Sequence, residues 1–462
     1  MLHRPGAQIV YPMTHPHTYT SVCISNARVI SPADGIDDIR TVCIKGTSIE
    51  SLGAPEADTP PADVHIDAQG CWLIPGITDM HVHLREPGRE DKETIATGTN
   101  AAAAGGITAV ACMPNTTPAL DEESSIRYVR QRAAQCASKI YPVGAITKRL
   151  AGEELAPFGE MVQAGACAVT DDHNSVKNAD MMKNACNYAK NFDIPLICHC
   201  EDTSLSRGGH MNESEMSTRL GIPGIPSLAE EVITARDIMI AEYTGARVHI
   251  AHVSTAGAVE LIREAKHRGV QVTAETCPHY ISLTDEALAD FDTHKKMNPP
   301  LRTAHDRAAV IQGLIDGTID VITTDHAPHV SEEKKEVEFI QAAFGVIGME
   351  TSVGIALTHL VAPGHLSPSA LVEKMCVAPN RILSRPGGTL AAGAPADIAL
   401  IAPQQRWVVD PTAFYSKARN CPFEGWELTG CCVATICEGR VVYTRGAMSS
   451  PVQQALSRYM HT

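Results

Sequence analysis

The sequence contains no apolar run near the roughly 20 residues that a membrane-spanning helix needs. It has no surplus of positive charge either. With 38 Lys and Arg against 53 Asp and Glu, the formal net charge is −15, which argues against a partner nucleic acid or an anionic lipid surface. It has no Cys-x-x-Cys pair, and its 15 cysteines are odd in number and scattered through apparent strands and helices. That pattern fits neither a disulfide framework nor a local cysteine-rich metal site. It predicts reduced, buried thiols that pack as small apolar side chains. Repeats and low-complexity tracts are missing. Met1–Ser21 is rich in Pro, His and Thr but has no continuous apolar core, so it does not read as a secretory signal. Together these absences predict a soluble, cytoplasmic protein.

What remains is a chain of 462 residues, 44% apolar and 20% charged, ordinary values for a globular protein. The length fits an α/β barrel of about 250 to 330 residues plus a smaller unit. From Val22 to about Ile74 the text consists of short strand-like runs, such as Val22–Ser25 and Thr41–Ile44, broken by Gly46, Gly53 and Pro60-Pro61. From about Leu73 to Gly387 it alternates strand with helix. Ile107–Cys112 precedes a helix over Asp121–Ala137, Ile194–His199 precedes one over Ser227–Thr244, and Val248–Val253 precedes one over Ala256–His267. Ser227 with Glu230 has the spacing of a capping box, and Gly245 closes that helix. About eight such units favour a closed parallel (β/α)8 TIM-like barrel. Short strands return after Gly388. The predicted organisation is an N-terminal extension over 1–21, a barrel over 73–387, a small composite β-sandwich over 22–72 and 388–446 built from both chain ends, and a tail over 447–462.

Metal-type side chains recur at the ends of the predicted strands. His81 and His83 close Gly76–Met80, and side chains two apart on a strand face the same way. His199 ends Ile194–Ile197, His252 ends Val248–Ala251, and Asp325 ends Val321–Thr324. Ligands spread over several strand ends at one barrel mouth suit a catalytic metal site better than a structural one. The same alternation turns Cys198 and Cys200 toward the helices. It also turns His249 away from His252, as a hydrogen-bonded core histidine. Glu201, two residues beyond His199, reads as a group supporting that ligand.

The longer motifs carry a resemblance. His81–Gly88 is similar to the opening signature of class I dihydroorotases, members of the amidohydrolase superfamily. Met113–Thr116, Asn298–Arg302, Asp325–His329 and Phe344–Glu350 resemble that family's later signatures, in the same order, within a similarity running from about Val22 to Arg445. The resemblance implies reversible hydrolysis of L-dihydroorotate to N-carbamoyl-L-aspartate, the third step of de novo pyrimidine synthesis. It implies two zinc ions per subunit sharing a hydroxide, with His81, His83 and Asp325 on the first and His199 and His252 on the second. Many relatives bridge the metals with a carbamylated lysine on the fourth strand. The segment Ala166–Asp172 has no lysine and is similar instead to an aspartate-bridged subgroup, which assigns the bridge to Asp172 and a supporting role to Asp171.

In the same family reading, Asp325 shuttles the catalytic proton, and Arg85, Asn115 and His329 bind the substrate carboxylate. Asn298 and the backbone around Phe344 and Gly345 meet the ring edges. A homo-oligomer is implied, as is association with aspartate transcarbamoylase. Departures from the family pattern are His173 in place of a usual glycine, Ala343 in place of proline and Met349 in place of leucine. Ser206–Pro226 reads as a long loop able to cover the site. The rival readings are another cyclic-amide hydrolase, such as a hydantoinase or allantoinase, and a catalytically silent scaffold.

Overall fold

The computed structural model describes residues 9–10 (backbone only), 21–53 and 61–446. The predicted tail, from 447, and most of the N-terminal extension lie outside the described residues.

Eight parallel strands follow one another in space as they do in sequence. They are β1 Ile77–Val82, β2 Ile107–Cys112, β3 Lys139–Ala145, β4 Ala168–Thr170, β5 Leu196–Cys198, β6 Val248–Ile250, β7 Val272–Thr276 and β8 Val321–Ile322. The ring closes between its ends. Val82 pairs with His326 in parallel, His83 N–H donates to the His326 carbonyl at 2.9 Å, and Thr324 donates to Asp79. Met80, Ala111, Val143, Ile197, Ala251 and Val321 fill one apolar cluster, while Val82, Cys112, Val169, Cys198 and Ile250 pack into the large cluster shared with the helices. This is the two-faced burial that a packed barrel requires.

Strands from both chain ends join in a second sheet of nine strands. Along it run Ile9–Val10, Arg440–Thr444, Glu427–Cys437, Ile398–Val408, Trp72–Pro75, Ser21–Ser31, Ile36–Lys45 and Ser48–Gly53, with Val64–Asp67 beside Ser21–Ser31. Ile24, Val42, Ile66, Leu73, Ile398 and Ile436 form its own core. All fifteen cysteines are buried and free. Cys198 and Cys200 belong to the large helix-facing cluster, as the alternation predicts.

Three local expectations are corrected. The helix expected over Asp121–Ala137 spans Glu123–Ala133, because its last residues tighten into turns through Ala134 and Cys136. Ser227 forms no capping box. It has helical dihedrals, its side chain makes no cap bond, and the helix is Leu228–Thr244, closed by Gly245 at φ 66°. Glu230 turns inward instead and accepts from Ser254 N at 2.9 Å and Thr255 N at 3.2 Å, beside Arg302 at 3.5 Å. Third, the segment from Ser206 to Pro226 is not a bare loop. It holds the short paired strands Met211–Asn212 and Gly224–Ile225 and the helix Glu215–Leu220. Arg302 anchors it through Asn212 Oδ1 and the Ile225 carbonyl.

Candidate active site

The strand ends bring the predicted ligands together. His81 and His83 leave β1, Asp172 leaves β4, His199 leaves β5, and Asp325 follows β8. Beyond Ile250 the chain departs from strand geometry: His252 takes φ 36°. Because of that turn, His249 does not face away from the site as the alternation predicted. Both histidines reach one network, with His249 Nε2 donating to Glu275 Oε2 at 3.1 Å and its Nδ1 lying 2.8 Å from Thr273 Oγ1. It is the hydrogen-bonded core histidine that the sequence suggested.

Two overlapping sets of ligand atoms emerge: His81, His83 and Asp325, and His81, Asp172 and His252. His83 Nε2 lies 3.1 Å from Asp325 Oδ1 and 3.5 Å from Asp172 Oδ2. His199 Nδ1 and His252 Nε2 face each other at 2.9 Å, and Asp172 Oδ1 lies 4.0 Å from His252 Nε2. Asp172 therefore stands between the two pairs. His81 Nε2 and Asp172 Oδ2 are buried atoms without a hydrogen-bond partner at the centre of this cluster. Buried polar atoms are normally satisfied, so a cation among imidazoles and carboxylates fits the donor set.

Outer groups aim these ligands. Glu275 Oε1 accepts from His81 Nδ1 at 2.6 Å, and Asn115 Oδ1 accepts from His83 Nδ1 at 2.9 Å. Each leaves Nε2 toward the cluster. Glu201 accepts from His199 Nε2 at 3.0 Å, the supporting position the sequence suggested. Asp171 turns away and accepts from Thr147 N at 2.8 Å. Burial alone would raise the Asp172 and Asp325 carboxyls, but the surrounding imidazoles outweigh it and hold both well below the usual range. Burial, with His199 and His81 nearby, pushes His252 down to about 3.

Above the cluster opens a cavity of about 260 Å³. Arg85, Asn115, Asn298, Phe344 and Gly345 line it, and so does His173 at φ 56°. Arg85 donates to the Pro328 carbonyl at 3.2 Å and makes no ion pair among the described residues. Burial pushes its guanidinium down to about 10, against the pull of Asp325 and Asp172. His329 stands behind this wall, 3.5 Å from Arg85 Nη2 and 2.8 Å from the Phe344 carbonyl. Asn298 Nδ2 donates to Glu201 Oε2 at 2.9 Å, so its amide is also tied to the His199 support. Gly345 has φ 131°, and a Cβ there would come within 2.8 Å of Ala327 Cβ, so this wall accepts glycine alone without strain.

Sequence reasoning missed Glu275, Lys296, Glu333 and Lys334. Glu275 carries the signal that picked out His199, a metal-type or charged side chain near the end of an apolar barrel strand. The other three sit in the charged stretches 290–296 and 332–338 and carry no such signal.

Comparison with known proteins identifies the family of the chain. Residues 70–258 match the family described as Dihydro-orotase-like. A dihydroorotase of Pelotomaculum thermopropionicum is 54% identical over 419 residues, covering 91% of this chain and 97% of that one. One from Syntrophotalea carbinolica is 51% identical over 424 residues, covering 91% and 99%. The chain belongs to the dihydroorotase family. Dihydroorotase activity, a cyclic-amide hydrolysis, is accordingly its function. Among solved structures, the L-hydantoinase (dihydropyrimidinase) of Arthrobacter aurescens superposes with a TM-score of 0.83 at 26% identity, covering 92% of this chain and 96% of that one. No described helix is long and apolar enough to cross a membrane.

Proposed function

We propose that the cavity is where the chain interconverts L-dihydroorotate and N-carbamoyl-L-aspartate, with two zinc ions held beneath it. The observation that carries this reading is Asp172 between the His83–Asp325 and His199–His252 pairs, with unpartnered buried atoms on His81 and on Asp172 itself. His81, His83 and Asp325 would hold one ion, His199 and His252 the other, and Asp172 both. When bound, such a pair supplies Lewis-acid polarisation of a carbonyl and activation of water near neutral pH.

The chain's own residues do the rest. The Asp325 carboxylate, at the cavity floor, accepts the proton of the attacking water and returns it to the leaving ring nitrogen. In the reverse direction it takes that proton from the ureido nitrogen as the ring closes. Arg85 offers paired donors to the substrate carboxylate, joined by Asn115, while His329, expected from the resemblance to join them, stands behind the wall and backs the Arg85 guanidinium at 3.5 Å. Asn298 and the Phe344–Gly345 backbone meet the ring edges and fix its orientation.

A cytoplasmic homo-oligomer belongs to the same reading. Leu228, Val232, Met239 and Tyr243 are 50%, 41%, 68% and 82% exposed, and their spacing sets them on one face of helix Leu228–Thr244. Light scattering of the purified chain tests this. The activity itself is tested by metal analysis with ring-opening assays on dihydroorotate and hydantoin. Two zinc ions and turnover confined to dihydroorotate are the expected result. Turnover of hydantoin alone would overturn the substrate assignment.

A further inference from the structure

Two lysines sit inside the wall of the cavity with no carboxylate in contact. Lys334 is 1% exposed and Lys296 is 2% exposed. Among the described residues neither forms an ion pair, and their partners are chiefly backbone carbonyls. Lys334 Nζ donates to the Lys296 carbonyl at 2.9 Å and the Ala343 carbonyl at 2.8 Å. Lys296 Nζ donates to the Phe339 and Ile340 carbonyls at 2.8 and 2.9 Å, with His210 Nδ1 at 3.3 Å. The same ammonium lies 4.6 Å from the centre of the Phe344 ring, which His210 stacks against on a nearly parallel plane.

The backbone completes the link. Gly345 N–H donates to the Lys296 carbonyl at 3.0 Å, and Ala343 N–H donates to the Glu333 carbonyl at 2.9 Å. Lys296 stands two residues before Asn298. Lys334 follows Glu333, whose Oε2 lies 2.8 Å from His329 Nδ1. The two ammonium groups thus tie together every segment that carries the proposed ring-contacting residues.

Filling this space does not require charge. A buried ammonium without a counter-ion is costly, and burial pushes Lys334 down to about 7 and Lys296 to about 8. Methionine would occupy similar volume without that penalty. What an ammonium does and methionine cannot is hold several carbonyls at fixed angles.

We propose that Lys334 and Lys296 are positioning residues for substrate, clamping the Phe339–Gly345 wall against the Asn298 segment so that Phe344, Gly345 and Asn298 meet the ring in register. This rests on reading the cavity as the substrate site. The test is steady-state hydrolysis of dihydroorotate by the full-length, metal-loaded chain, with metal content and thermal melting measured on each preparation. The variants are Lys334→Met, Lys296→Met, Arg85→Met and the control Lys374→Met. Lys374 is also a buried lysine that donates to a carbonyl, that of Ile319 at 2.6 Å, but at the opposite end of the barrel.

Lys334→Met and Lys296→Met are expected to raise KM about tenfold or more while kcat stays within about threefold and metal content is unchanged. Lys374→Met is expected to lower the melting temperature without moving KM. If Lys334→Met does not yield folded protein, Lys296→Met decides alone. KM unchanged in the lysine variants, or a fall in kcat alone, would overturn the inference when Arg85→Met still raises KM. KM unchanged in Arg85→Met as well would overturn the substrate reading itself.

Discussion

Glu275 Oε1 accepts a hydrogen bond from His81 Nδ1 at 2.6 Å, while its other oxygen accepts from His249 Nε2 at 3.1 Å. The carboxylate is wholly buried, and His81 and His249 hold it at about 2 although burial pulls the other way. One acidic side chain therefore fixes the tautomer of a candidate metal ligand and leaves its Nε2 aimed at the cluster.

Glu275→Gln can accept from only one of the two imidazoles on its amide oxygen. Metal affinity, read by competition with a chelator, is expected to fall by about 10- to 100-fold, with the folded state retained by circular dichroism. Unchanged affinity would remove Glu275 from the metal site's support.

The pH dependence of stability carries a separate mark. Desolvation pushes the Glu350 carboxyl from its ordinary 4.5 up to about 8, although Tyr415 N–H and Ser416 N–H donate to it at 2.9 and 3.2 Å. A carboxyl whose pKa rises on folding contributes its stability below the unfolded value, and loses it as pH climbs toward the folded one. Between pH 4.5 and about 8 the wild type should lose at most about 1.4 kcal/mol per pH unit through this group. Glu350→Gln lacks that slope. Its melting temperature relative to wild type should rise between pH 5 and pH 8, and parallel curves would contradict the account.

Ser227 and Glu230 separate what a sequence motif suggests from what the fold uses. Ser227→Ala should change stability by no more than about 0.5 kcal/mol, because no cap bond is lost. Glu230→Ala strands the Ser254 and Thr255 amides and the Arg302 guanidinium inside the protein. A cost of about 3–5 kcal/mol is expected in denaturant melts. Equal effects from the two substitutions would restore the capping box.

These cases show where the sequence is legible. The barrel follows from the alternation of strand with helix, and the candidate ligands His81, His83, His199, His252 and Asp325 follow from metal-type side chains at the ends of apolar strands. Asp172 came from resemblance to an aspartate-bridged family rather than from spacing. Alternation failed at His249 because the strand stops at Ile250 and His252 takes a positive φ, a backbone turn that side-chain pattern does not encode. Glu230 was misread because its spacing from Ser227 is local, whereas its partners lie 24 and 25 residues further on. Lys296, Glu333 and Lys334 escaped notice for the same reason, since their partners come from several segments that only the closed barrel brings together.

Asp172 between two metal ions is the arrangement on which the proposed dihydroorotase site depends. It is tested most directly by metal content and dihydroorotate hydrolysis measured side by side on wild type and Asp172→Ala. The account predicts two bound ions and turnover in the wild type, with fewer ions and loss of turnover in the variant. A variant that keeps both ions and full turnover would contradict it.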